Sequence, residues 1–153
     1  MGRLFHVMVN FNKDVLVEAR RSELAKARKK CLQVSKKERT EQHTIELNTL
    51  LSILRSAEWL VLRDESLLKA DKVEQLNRLR ENNALFRDLY PLAAQLRAVW
   101  RAKDSEEARS LLSNTIDICH AIAQEHVFKP IARFAKMLER RAEDIINACV
   151  VRY

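Results

Sequence analysis

The chain has 153 residues, with 28 Lys or Arg against 21 Asp or Glu, and a formal net charge of +7. A single glycine and two prolines leave few residues for the tight turns of a sheet protein, so helices are expected nearly throughout. No apolar run of 18 residues spans a membrane, and three widely spaced cysteines without a CxxC pair favour a soluble protein of the reducing cytoplasm.

The positive charge is concentrated in the first quarter of the chain. Residues 1–40 hold 11 Lys or Arg against 4 Asp or Glu, whereas residues 41–153 hold 17 of each. We therefore expect a basic amphipathic helix and arm over 1–40 and a neutral helical bundle over 41–153. Near the start of the neutral part lies the densest apolar stretch, 50–64, which is predicted to form the hub of the core with Trp59 inside it.

Apolar residues at helical spacing over about 5–30 predict a long N-terminal helix. Its later part is strongly basic, because nine of the twenty residues from 20 to 39 are Lys or Arg. This part is an extension of the helix, a solvated loop, or a segment that orders on a polyanion. We predict that its cations bind a DNA backbone weakly and without sequence preference; they are Lys26, Arg28, Lys29, Lys30, Lys36, Lys37 and Arg39. The competing interpretation is a solvated charged helix end.

A second helix is predicted over about 41–62, and two more helices are predicted after it in the middle of the chain. The Asn82 and Asn83 pair indicates that one helix stops and the next restarts, since asparagine caps helices well and tolerates left-handed backbone. The restarted helix, over about 84–102, carries a broad apolar face. Pro91 lies inside it and is expected to kink or split it.

The last third of the chain predicts two more helices. Asp104 and Glu107 have the spacing of a capping box, so a helix is expected from there to about His126. Pro130 suits the first turn of a final helix that runs to Cys149. Short connections imply antiparallel neighbours, and the whole pattern is typical of an all-α helical bundle.

No catalytic or metal-binding constellation stands out. His120 and His126 are six residues apart, which places their rings on different faces of a helix, and neither HExxH nor CxxC spacing occurs. Gly-rich phosphate loops are excluded by the single glycine. The sequence therefore predicts no catalytic residue and no metal ligand.

Three passages carry a family resemblance: RLFHVMVNFNKDVLVEAR at the start, then a stretch beginning EWLVLRDESLLKADKVEQL, then ARFAKMLERRAEDIINAC. In this order they resemble the later half of the DDE-type insertion-sequence transposases of the ISL-three family. The resemblance implies the helical insertion of an RNase H-like catalytic core, together with one basic helix of that core. It also implies a role in DNA transposition, which full-length members carry out with Mg²⁺ or Mn²⁺ held by three carboxylates.

None of these carboxylates is expected in this chain. The family's second Asp corresponds to Arg3, where a cation would repel a metal ion, and the other two carboxylates would lie before Met1 and after Tyr153. The resemblance thus implies a truncated transposase that has no cofactor of its own and is inactive alone.

The expected partners are DNA, a full-length transposase, or a second copy of the chain. Self-association is expected if the face of the first helix that would pack on the family's sheet is exposed; this face carries Val7, Met8, Phe11 and Val15. The alternative is a small helical protein-interaction module with no DNA role, in which the basic arm only confers solubility.

Overall fold

The computed structural model describes residues 2–33, 41–63 and 65–150, and these residues form helices and short connections without a strand. The first half contains α1 (Gly2–Asn10), a π-helical segment (Phe11–Leu16), α2 (Val17–Gln33), α3 (Glu41–Arg55) and α4 (Ala57–Leu62). A 3₁₀ turn (Glu65–Leu67) leads to α5 (Ala70–Asn82), α6 (Ala84–Trp100), α7 (Ser105–His126), α8 (Lys129–Arg140) and α9 (Ala142–Val150). The predicted all-α helical bundle is confirmed. In the described part of the chain, no helix is both long and apolar enough to cross a bilayer.

Helices α6 and α7 begin where the sequence predicts. The Asn83 side chain accepts a hydrogen bond from the Phe86 amide at 3.0 Å, with Asn83 in extended rather than left-handed backbone. The Asp104 carboxylate accepts from the Glu107 amide at 2.8 Å. Glu107 accepts in return from the amide of Lys103, one residue earlier than in the standard capping box, at 3.3 Å. Both caps satisfy amides that a helix start leaves without partners.

The centre of the bundle is formed by α6, α7 and α8, with α7 packed against both others and against α9. Gln95 lies opposite Thr115 and Asp88 lies opposite His126, so residues later in α7 meet residues earlier in α6. The two helices are therefore antiparallel. Thr115 is fully buried, and its hydroxyl donates to the Leu111 carbonyl at 2.8 Å, which satisfies it within its own helix.

Two predicted helices are interrupted. The helix predicted over 41–62 breaks at Ser56, and the final helix breaks at Arg141. At the first break the Ser56 amide bonds to the Ile53 carbonyl at 3.1 Å, an i to i−3 contact that tightens the end of α3. Neither position is Gly or Pro, so the local sequence gives no signal for a break.

The break at Ser56 corrects the prediction that Trp59 lies in the core. A turn changes the rotational phase of the following helix, and α4 directs Ala57, Leu60 and Val61 inward at the i, i+3, i+4 spacing of one face. Trp59 lies off that face and is 39% exposed. The hub stretch still contributes to the core, but not through its largest residue.

The expected split at Pro91 is also wrong, since α6 continues through this proline. Proline cannot donate to the Arg87 carbonyl four residues earlier. Pro91 and Arg87 are both exposed, so water can satisfy that carbonyl. The inward positions of α6 are buried as predicted, and they include Leu85, Leu89, Leu92, Leu96 and Val99.

The apolar face of the N-terminal helix is covered, which corrects the expectation of an exposed self-association surface. Val7 is 5% exposed, and Phe11 and Val15 are fully buried. Met8 packs partly buried against the same core. The π-helical segment contacts α4 and α8, and the Phe11 and Phe134 rings lie 5.3 Å apart between centroids. Helices of this chain occupy the face that a sheet was expected to cover.

Candidate nucleic-acid interface

The described part of the predicted DNA-binding segment lies on α2. Lys26, Arg28, Lys29 and Lys30 are all exposed. Because each helical residue turns the chain by about 100°, Lys26, Lys29 and Lys30 lie away from the buried Leu24, whereas Arg28 lies one turn beyond Leu24 on its side of α2 and is still exposed. The remaining predicted contacts lie outside the described residues; they are Lys36, Lys37 and Arg39.

These cations are only partly neutralised by their neighbours. Lys26 lies 3.7 Å from the Glu23 carboxylate. Arg28, Lys29 and Lys30 form no ion pair with any residue in 2–33, 41–63 or 65–150. Lys26 and Lys30 are one helical turn apart, roughly 6 Å along the axis. The end of α2 therefore presents uncompensated positive charge over one turn, which suits an extended polyanion better than a single small anion.

Beside this turn lies a cavity of about 370 Å³ where α2, α3, α5, α6 and the end of α7 meet. Its lining is mainly apolar, and it includes Ala27, Ile53, Leu54, Leu79 and Leu85. The charged groups Glu23, Lys26, Lys30 and His126 stand around it. It is an open groove between helices rather than an enclosed ligand site.

A second basic region surrounds Trp59, and sequence reasoning missed it. The Arg63 guanidinium lies 4.6 Å from the indole centroid and the Lys72 ammonium 5.6 Å. Arg97 and Arg101 line the same shallow depression, and Arg97 donates to the Leu62 carbonyl at 2.6 Å. Arg63 and Lys72 stabilise this exposed aromatic ring by cation–π attraction. The i, i+4 spacing of Trp59 and Arg63 was the signal available in the sequence, but assigning Trp59 to the core concealed it.

Three potential metal ligands meet between α6 and α7, where the sequence predicted none. Asp88, Glu125 and His126 each offer one ligand atom, and these atoms all lie within 4.8 Å of one another. His126 Nε2 and Asp88 Oδ2 are 2.7 Å apart. Asp88 and His126 are 38 residues apart, so only the antiparallel packing of two helices brings them together.

The other titratable contacts are structural. His120 pairs with Glu139 at 2.7 Å on the surface between α7 and α8. Two hydrogen bonds join Arg109 to Glu143; the same contact lowers the pKa of the carboxyl and raises the pKa of the guanidinium. Burial raises the pKa of the Cys119 thiol to about 12, which removes it as a thiolate ligand or nucleophile near neutral pH.

Comparison with protein-family models matches residues 4–153 to the DDE transposases of the ISL-three (ISL3) family, whose description is Transposase. The chain belongs to this transposase family. A search of curated proteins gave no match, and a search of solved structures gave none.

The donor set on this transposase-family chain does not fit the metal pair that the family implies. Two Mg²⁺ or Mn²⁺ ions held by three carboxylates require hard oxygen ligands. Within the described ranges, the one group of three closely spaced candidates combines two carboxylates with an imidazole. The three clustered residues therefore do not provide the two-metal site that DNA cleavage and strand transfer require in this family.

Proposed function

We propose that this transposase-family chain contacts DNA through the exposed turn of α2 and does not cut or join DNA by itself. The observation that supports it most directly is the exposure of Arg28, Lys29 and Lys30 without ion-pair partners among the described residues. Lys36, Lys37 and Arg39 follow in the sequence and extend the same charge. Cations that are not neutralised by the protein can replace the counterions condensed on a phosphate backbone.

The contact is weak and independent of sequence. Lys and Arg side chains on one helical turn meet phosphates, which carry no base identity. No aromatic residue lies between Lys26 and Arg39 to stack on a base. The segment 1–40 is then the basic remnant of the catalytic core, and 41–153 is the helical insertion.

The absence of activity rests on the residues that stand where the family's ligands are expected. The resemblance implies that Arg3 stands where the second Asp is expected, and the described His and carboxylate cluster does not match a three-carboxylate site. In a cell, such a chain would act as a non-productive partner of an intact transposase. We place it in the cytoplasm, because its three widely spaced cysteines include no CxxC pair and suit a reducing compartment better than a disulfide scaffold.

Fluorescence anisotropy with a random duplex, measured at a series of salt concentrations, tests the DNA contact. The test variant changes Lys26, Arg28, Lys29 and Lys30 to Ser. The matched control removes four exposed cations near the C-terminal end of the chain, in and just after α8. It changes Arg133, Lys136, Arg140 and Arg141 to Ser. If about five phosphates are neutralised, log K for the unaltered chain falls with log salt at a slope near −4.5.

The α2 variant is expected to flatten that slope by about 3 to 4 and the control to leave it nearly unchanged. Equal losses in both variants would show that net charge, not α2, governs binding. In a separate assay with the same protein preparation, Mg²⁺ or Mn²⁺ is expected to produce no nicking of supercoiled DNA. Nicking that is lost on changing a carboxylate of this chain to its amide would contradict the proposed inactivity.

The groove beside α2 favours a second candidate function, a helical protein-interaction module with no DNA role. Its apolar lining between helices is the kind of surface that accepts an amphipathic helix. Under this alternative the anisotropy does not change on adding DNA, in the unaltered chain or in either variant. Light scattering of mixtures with candidate partners would then identify the complex.

A further inference from the structure

The three side chains between α6 and α7 have the composition of a transition-metal site. Glu125 and His126 lie in the last turn of α7, and Asp88 lies in the first half of α6. One imidazole nitrogen and two carboxylate oxygens form a ligand set that Zn²⁺ accepts, with water completing the coordination. We propose that Asp88, Glu125 and His126 bind one Zn²⁺ ion.

The distances permit this with small side-chain rotations. Ligand atoms on a tetrahedral Zn²⁺ with bonds of about 2.1 Å lie roughly 3.4 Å apart. The Asp88 and His126 atoms, now 2.7 Å apart, would separate by under about 1 Å to admit the ion between them. The third atom already lies within 4.8 Å of both, so it has to move inward by at most about 1.4 Å.

The local electrostatics also favour a cation. Neither Asp88 nor Glu125 forms an ion pair with a Lys or Arg of the described residues, so the charge of both carboxylates is available to the ion. Glu125 and His126 stand at the C-terminal end of α7, where the helix dipole contributes roughly half a negative charge. Lys26 and Lys30 are the opposing cations, since they line the groove that His126 also borders.

The three ligands are not among the residues proposed to contact DNA, and the site does not rely on the family's carboxylate chemistry. A bound ion would tie the end of α7 to α6, because two of its ligands belong to one helix and the third to the other. The imidazole selects Zn²⁺ over Mg²⁺, which prefers an all-oxygen octahedral shell.

Isothermal titration of the full chain with ZnCl₂ tests the site, using Glu125→Gln as the decisive variant. Glu125 is exposed and forms no hydrogen bond with the described residues, so this change leaves the His126 and Asp88 contact and the fold intact. A His126→Asn variant removes the imidazole. His120→Asn is the matched control, because His120 pairs with Glu139 at the same 2.7 Å but has no third ligand nearby among the residues that the structure describes.

The expected result is one Zn²⁺ per chain, with affinity at least about tenfold lower in both Glu125→Gln and His126→Asn and unchanged in His120→Asn. Even residues that only support metal ligands are worth about ten- to a hundredfold in affinity, so a ligand should be worth no less. Zn²⁺ is also expected to raise the melting temperature of the unaltered chain more than that of Glu125→Gln. The proposal is overturned if the unaltered chain does not bind Zn²⁺, or if Glu125→Gln binds it as tightly.

Discussion

Val127 is the one non-glycine residue with positive φ among those described, at φ 50° and ψ 49°. A β-branched side chain in the left-handed region is an outlier, because its Cβ crowds the following carbonyl. This left-handed residue ends α7, and the amides of Val127 and Phe128 both donate hydrogen bonds to the Ala123 carbonyl. The valine side chain is 83% exposed, so packing does not repay this cost.

Val127→Gly is therefore expected to stabilise the protein. Left-handed backbone destabilises a non-glycine residue by roughly 1 to 2 kcal/mol, and glycine removes this strain. The greater freedom of glycine in the unfolded chain offsets roughly 0.5 to 1 kcal/mol of that gain. We expect a net gain of about 0.5 to 1 kcal/mol in the free energy of unfolding, measured by urea denaturation. Val127→Ala keeps a Cβ and is the control. Equal effects of the two changes would mean that the backbone strain has no energetic consequence.

Single residues were predictable where their partners are local. Asn83 and Asp104 cap helices through amides three residues away, so spacing alone locates them. The contact of Asp88 with His126 depends on how two helices pack, and no local pattern encodes it. Val127 was also unpredictable, since nothing in its residue type favours left-handed backbone.

Whole helices were predicted well where a breaker or cap marks their ends, and poorly elsewhere. The restart at α6 and the start of α7 follow from asparagine and aspartate. The breaks at Ser56 and Arg141 occur at residues that are neither Gly nor Pro, so no local signal marks them. After an unpredicted break the rotational phase is lost, and this is why Trp59 and its basic surroundings were missed as a surface.

Asp104→Ala tests how much one cap contributes to α7. The change removes the acceptor of the Glu107 amide and leaves a helix-start donor without its partner. The free energy of unfolding is expected to fall by about 1 kcal/mol in a thermal or urea titration. The neighbouring exposed Ser105→Ala is the control and should change it by less than about 0.5 kcal/mol. A loss no larger than that of the control would show that Glu107 alone holds the helix start.

At the scale of the molecule, the basic N-terminal helix and the helical body share one core. Buried residues of α1, the π-helical segment and α2 belong to the same apolar cluster as those of α6 to α9. The division by charge is therefore a division of the surface. Sequence periodicity found the apolar face of the first helix, but the identity of what covers it required the three-dimensional packing.

Phe11→Ala measures this coupling. Phe11 is fully buried against Phe134, and removing a large buried aromatic side chain costs about 3 to 5 kcal/mol through lost burial and the cavity left behind. The midpoint of cooperative urea unfolding, followed by far-UV circular dichroism, is expected to fall accordingly. Val9 lies two residues earlier and is 43% exposed, so Val9→Ala should have little effect on the midpoint. If the two variants unfold alike, the N-terminal helix is not part of the cooperative unit.

The π-helical segment Phe11–Leu16 amounts to one extra residue accommodated inside an otherwise continuous helix. In a regular α-helix, one extra residue would rotate everything downstream by about 100°. The wide turn absorbs that residue, so the cations of α2 keep their direction while Phe11, Val15 and Leu16 remain buried. Deleting one residue within the π-helical segment is expected to convert the wide turn to α-helix and leave both flanks in phase. The same deletion in α2 before Lys26 would instead rotate the basic turn toward the core. The direction in which the cations of α2 face therefore depends on the number of residues that precede them as well as on which residues they are.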